Sequence, residues 1–197
     1  MARDFHDEMG NHMASIISMV NILSMKLKTN DQQILSILKK VEFASKELFQ
    51  GTREFMWTID PDHDNLVEIL IYLRDYGVDF FQNTNIDFEV GKNLLTGAEA
   101  LPVQPGSCKH ILAIFKEAMT NCLKHSHAAK VTLSSESTNH SFTIIFCDNG
   151  IGVREKMGRG LQNMQTRALK VNAILKCENM EQGFSVALKF NNLKIVI

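Results

Sequence analysis

Cysteine is scarce and carries no pairing pattern: Cys108, Cys122, Cys147 and Cys177 are four of 197 residues, and no two make a C-x-x-C spacing. That argues against a disulfide framework. Each lies in an apolar or helical context, so the expectation is reduced thiols in a reducing, cytoplasmic compartment. An excess of charge is missing too. Lys and Arg number 21 against 22 Asp and Glu, a net charge of −1, and the basic residues are spread along the chain. Nothing in that balance suits nucleic acid or an anionic membrane surface. No apolar run approaches the ~20 residues of a membrane span, and no signal-peptide pattern opens the chain. Internal repeats and low-complexity segments are absent as well. The chain begins within one turn of its first motif, as expected of a segment cut from a longer protein with a sensory or membrane portion.

What is present begins with helical periodicity. Phe5, Met9, Met13, Ile16, Val20, Leu23 and Leu27 advance by alternating steps of about four and three, the seam of a coiled coil or bundle. Thr29-Asn30-Asp31 interrupts it. A second seam runs through Ile34, Leu38, Val41, Ser45, Leu48, Thr52, Phe55 and Ile59, and should stop at Asp60-Pro61, because proline disfavours helical geometry in the residue before it. Two such helices predict an antiparallel hairpin. Its wide apolar face, with Ile17, Ile37, Phe43, Phe49 and Met56 beside the seam, predicts pairing with a second copy into a four-helix bundle.

Residues 62–65 read as a polar linker, and the texture then changes. Helices are expected over Leu66 to Phe81, Ser107 to Ser126 and about Leu161 to Val171. Strands are expected at Ile86–Val90, Val131–Leu133, Phe142–Phe146, Ala173–Cys177 and Phe184–Phe190. The fold class is therefore α+β: a helical hairpin (1–61), a linker, and a two-layer α/β sandwich (66–197).

Chemistry concentrates in a few places. Glu117, Asn121 and Lys124 fall at i, i+4 and i+7 of a helix, a stripe that offers oxygen to a hard cation and positive charge to phosphates. Alone, such a stripe is more often a solvated face. Asp148-Asn149-Gly150-Ile151-Gly152 follows a strand, so Asp148 stands at a strand end with glycines that permit close approach. An ordinary Asn-Gly turn reads the same way. Gly158-Arg159-Gly160-Leu161 opens a helix, whose N-terminal amides favour phosphates, or is simply a flexible loop. Gly183 precedes the last strand and reads first as a turn. His6-Asp7 near the start supplies a nucleophile with a carboxylate beside it. His12, His63, His110, His127 and His140 show no metal-ligand spacing, and the ten methionines read as core filler.

Taken in order, Glu-x-x-x-Asn on a helix, Asp-x-Gly-x-Gly after a strand, Gly-x-Gly opening a helix and a final glycine turn resemble the N and glycine boxes of the GHKL ATPases. These share the Bergerat fold of histidine kinases, gyrase and MutL. Arg3-Asp4-Phe5-His6-Asp7 resembles the phosphoacceptor helix of sensor histidine kinases that partner NarL/LuxR-type response regulators. Phe55-Met56-Trp57-Thr58-Ile59-Asp60-Pro61 is similar to the end of that family's second helix, and residues 153–157 fall in what resembles its short ATP lid.

The resemblance implies a homodimeric kinase core that uses ATP and Mg²⁺ and passes phosphate to the receiver domain of a response regulator. His6 would accept the γ-phosphoryl group and Asp7 would orient the ring and assist loss of its proton. Asn121 would hold Mg²⁺ with Glu117 beside it, and Lys124 and His125 would steady the phosphates. Asp148 would recognise adenine, Gly150 and Gly152 would shape its pocket, and Gly158, Gly160 and Leu161 would bring amides to the phosphates, with Gly183 closing the set. Where the family has a glutamine that orients water for regulator dephosphorylation, this chain has Asn11, one methylene shorter with the amide retained. Phe184 stands where the family commonly has threonine. The rival readings are an ATP-binding scaffold or degenerate GHKL regulator without transfer, and a serine-phosphorylating regulator, against which the hairpin carrying His6-Asp7 argues.

Overall fold

The computed structural model describes residues 14–23, 25, 32–59, 64–101, 103–152 and 158–191. The chain divides into two units, Met1–Asp60 and Pro61–Ile197.

In the first unit, residues 14–23 form helix α1 and Gln32–Ile59 form α2. The second seam is continuous enough to keep α2 helical for 28 residues through Ile59, and Asp60-Pro61, where the sequence expects a stop, lies outside the described residues. Its two polar seam positions are absorbed by the backbone. Ser45 Oγ donates to the Val41 carbonyl and Thr52 Oγ1 to the Leu48 carbonyl, each at 2.8 Å, the i−4 bonding that lets a hydroxyl lie on an inward helix face. Val20 and Ser45 are buried, whereas Ile37, Phe43 and Leu48 stand 59%, 66% and 54% exposed. Phe5, Met9, Met13 and Leu27 of the first seam lie outside the described residues.

The second unit begins with α3 (Leu66–Phe81), which matches the expected span because Asn65 caps it: the Asn65 side chain accepts from the Glu68 N–H at 2.8 Å. Then follow β1 (Asp87–Val90), a 3₁₀ turn (Ala98–Ala100), α4 (Cys108–Asn121), a π turn (Cys122–Ser126), β2 (Lys130–Ser137), β3 (Ser141–Asp148), α5 (Arg159–Lys170), β4 (Ala173–Asn179) and β5 (Phe184–Asn191). The five strands make one mixed sheet in the order β1-β2-β3-β5-β4, with β1 parallel to β2 and the other neighbours antiparallel.

Register places the core on one face. Phe142, Ile144 and Phe146 of β3 lie opposite Phe190, Leu188 and Val186 of β5, and Leu133 of β2 lies opposite Phe146. All seven are buried. Against them lie Ile69, Leu70 and Leu73 of α3, Ile111, Leu112, Phe115 and Met119 of α4, and Met164 and Ala168 of α5. The other face carries small and polar side chains such as Thr132, Ser134, Thr143 and Ala187, which is why only one helical layer is needed. α3 and α4 are also joined through Lys116. Its Nζ donates to the Tyr72 hydroxyl at 3.1 Å and sits 4.1 Å from the Tyr76 ring centroid.

Phe146 is 2% exposed between two neighbouring strands. Phe146→Ala should cost about 3–5 kcal/mol in denaturant unfolding. Ile174→Ala, at an edge-strand position 56% exposed, should stay within about 0.5 kcal/mol.

Candidate functional site

Two clusters form where the loops meet at the end of α4. The first joins α4 to the start of α5. Asn121 Nδ2 donates to Glu117 Oε1 at 3.4 Å, the i, i+4 spacing placing the two on one helix face. Gly160, in the first turn of α5, comes up against the same pair: a Cβ there would fall on Glu117 Oε1 and would reach Asn121 Nδ2 at 3.5 Å. A side chain at 160 would therefore fill the space beside the carboxylate and the carboxamide. Gly158 is the N-cap of α5, and a Cβ there would meet nothing within 4 Å.

The second cluster surrounds the end of β3. Asp148 is 7% exposed and its Oδ1 accepts from the Gly150 N–H at 2.9 Å. Burial pushes the Asp148 carboxyl above its ordinary range, and the backbone amides of Gly150 and Phe184 pull it partly back. A carboxylate kept out of water and held by amides is an acceptor for a ligand N–H. Gly183, with φ +98°, lies under it: a Cβ would run into the Asp148 carbonyl and lie 2.9 Å from the Asn149 Cα. Gly183 is thus more tightly constrained than a turn before a strand needs. Gly152, at φ +68°, abuts both Asn179 and the Gly183 carbonyl.

The π turn after α4 connects the clusters. The Ser126 carbonyl accepts from the Ile151 N–H at 2.8 Å, and Gly150 packs so closely on that carbonyl that a Cβ would collide with it. Ser126 Oγ in turn donates to the Cys122 carbonyl at 2.8 Å and accepts from the Ala128 N–H at 3.0 Å. Asn149, which the sequence reading passed over as a turn residue, is the latch on the other side. Its Oδ1 accepts from the N–H groups of Ala129 and Lys130 at 3.0 and 2.9 Å, and its own N–H donates to the Lys130 carbonyl at 3.1 Å. No local signal marks this role, because the partners lie 19 and 20 residues away.

The expectation of one regular helix to Ser126 meets a different geometry. α4 ends at Asn121, and Lys124 and His125 belong to the wider π turn, both exposed. They do not simply extend the Glu117–Asn121 stripe. Leu161 is half-buried one residue beyond Gly160. His6, Asp7 and Asn11, and residues 153–157 of the expected lid, lie outside the described residues. Among the described residues no cluster of three His, Cys, Asp or Glu side chains could hold a metal ion, and no helix is long and apolar enough to cross a membrane.

The fold is shared with the catalytic domain of the histidine kinase ThkA, which superposes with a TM-score of 0.51 over 64% of this chain and 93% of that one, at 15% identity. The fold of ShkA, whose full-length crystal structure is in complex with AMPPNP, superposes with a TM-score of 0.56 over 95% of this chain and 44% of that one, at 12% identity. Residues 1–64 match the family HisKA_3, described as histidine kinase. The sensor histidine kinase LnrJ of Bacillus subtilis is 26% identical over 194 residues, 97% of this chain and 47% of LnrJ. The nitrate/nitrite sensor NarX of Escherichia coli K12 is 22% identical over 192 residues, 93% of this chain and 30% of NarX. The chain is thus similar to sensor histidine kinases over nearly its whole length, with residues 1–64 matching HisKA_3, and it spans half or less of the length of these relatives.

Because folding raises the Asp148 pKa, its ionisation weakens the fold: the stability it contributes is present below the ordinary carboxyl pKa and is lost as pH rises through the raised value. Asp148→Asn should therefore leave the nucleotide-free protein at least as stable as the parent at pH 7. The advantage should shrink toward pH 4, read by denaturant unfolding at the two pH values.

Proposed function

We propose that this chain is the cytoplasmic kinase core of a two-component sensor histidine kinase, with residues 1–61 as dimerisation and phosphoacceptor hairpin, 62–65 as linker and 66–197 as catalytic domain. The observation that carries the reading is the joining of the two clusters. A buried carboxylate at a strand end and a carboxylate–carboxamide pair at a helix end are tied to each other through Ser126, with glycines at the three closest approaches. That is the donor set for an adenine amine at one side and a metal-bound polyphosphate at the other.

ATP is the substrate. Asp148 accepts from the exocyclic amine of adenine, and Gly150, Gly152 and Gly183 let backbone approach the ring. Asn121, with Glu117 beside it, would hold Mg²⁺, since the two side chains share one helix face and their oxygen donors suit a hard cation. When bound, Mg²⁺ compensates phosphate charge. The N-terminus of α5, from Gly158 through Leu161, presents unpaired amides to the phosphates, and Lys124 and His125 add side-chain donors from the π turn.

Transfer runs from ATP to His6. One imidazole nitrogen attacks the γ-phosphorus in line, an N–P bond forms, and the bond from phosphorus to the bridging oxygen breaks, leaving ADP. Asp7 accepts the proton carried by the other ring nitrogen and keeps the attacking nitrogen's lone pair directed at phosphorus. Phosphohistidine then passes its phosphoryl group to an aspartate on a response regulator receiver domain, freeing His6, and the Asn11 amide orients the water that later hydrolyses the aspartyl phosphate to inorganic phosphate. A homodimer is supported by the open apolar face of α2, where Ile37, Phe43 and Leu48 lie exposed on the single chain.

Incubation with γ-labelled ATP and Mg²⁺ tests the reading. Acid-labile label on the parent and none on His6→Gln is the expected result. Bound ATP with no label on the parent would replace it with the scaffold reading, and an acid-stable label with the serine-kinase one. Asp148→Asn should weaken ATP binding by about tenfold or more in calorimetry, the cost of losing a charge-assisted hydrogen bond.

A further inference from the structure

Consecutive side chains at the start of the second unit cap two different helices. Asn65 caps α3 locally. Asp64 reaches 42 and 44 residues along the chain: its Oδ2 accepts from the Gly106 N–H at 2.6 Å and its Oδ1 from the Cys108 N–H at 3.2 Å. Ser107, at the N-cap position of α4, makes no side-chain capping bond. The start of α4 therefore takes its anionic cap from Asp64, where the helix dipole favours one. α4 carries Glu117 and Asn121 at its opposite end, about 20 Å away at 1.5 Å per residue.

We propose that Asp64 is a positioning residue for phosphoryl transfer, fastening the chain that arrives from the His6-bearing unit to the helix that holds the nucleotide-binding Glu117 and Asn121. The inference rests on the kinase reading. A carboxylate gripping two amides fixes where the chain joins the second unit, on α4 as well as on α3. Without Asp64 the attachment retreats to the Asn65 cap on α3, the tether between the units lengthens, and the nucleotide end of α4 is untouched. A tether sets how often a tethered acceptor meets its donor, not how tightly the donor binds its own ligand. The anchor should thus act on the rate of transfer and leave ATP affinity alone, whereas a cap that only supported the nucleotide pocket would move both.

Asp64→Ala and Asp64→Asn in the full chain test this, with thermal unfolding to show that each is folded. The Ala variant should bind ATP within about twofold of the parent, while autophosphorylation at saturating ATP falls about fivefold or more. The Asn variant, which keeps one carbonyl acceptor, should recover part of that rate. The distance distribution between spin labels on exposed positions of α2 and α5 should broaden in the Ala variant. An unchanged rate in a folded Ala variant, or a rate and affinity that fall together, would overturn the anchor. If the parent itself takes no label, the kinase reading falls separately, and the spin-label distances decide the anchor: an unchanged distribution overturns it.

Discussion

A carboxylate withdrawn from water at the end of a strand is the constraint around which the second unit is arranged. Asp148 is buried yet held by backbone N–H groups, an arrangement that needs amides aimed at it from the turn that follows. That requirement explains the glycines nearby. Gly150 must approach the Ser126 carbonyl and Gly183 must pass beneath the Asp148 peptide, and neither path has room for a Cβ. Val131 and Phe184 flank Asp148 on the neighbouring strands, and the backbone amides of Gly150 and Phe184 offset part of the cost of burying the carboxylate.

α4 is the member that links the distant parts. It is gripped at its start by Asp64, laterally through Lys116 to the tyrosines of α3, and at its end by the π turn whose Ser126 carbonyl receives Ile151. None of these is a large energy alone; hydrogen bonds of this kind each contribute on the order of 1 kcal/mol. Their value is directional. Lys116 and the π turn orient the last turn, which presents Glu117 and Asn121, while the Asp64 grip acts at the opposite end of the helix, where the chain enters the second unit.

Much of this was legible in the sequence where a local signal and a long-range need coincide. α3 was bounded correctly because apolar spacing, Asn65 before it and the polar run after Phe81 all agree. β2 was read as three residues and is eight, because its second half is Ser134-Ser135-Glu136-Ser137, polar residues that become strand only through pairing with Ile145 to Phe142. The π turn was not legible, since widening a helix leaves no periodicity of its own, and it moves Lys124 and His125 off the expected stripe. Asp64 and Asn149 were missed for a related reason: a side chain that caps a segment 42 or 20 residues away looks, locally, like any other turn residue. Gly160 was found by its motif, but its reason, the approach to Glu117, exists only in three dimensions.

The thiols have a consequence of their own. Burial pushes Cys108 up to about 12 and Cys122 and Cys177 up to about 11. At neutral pH about one molecule in ten thousand or fewer then carries a thiolate at any one of these positions. Peroxide and alkylating reagents act on the thiolate, so these three sulfurs are chemically silent while the unit is folded, and their modification would report unfolding instead of oxidative stress.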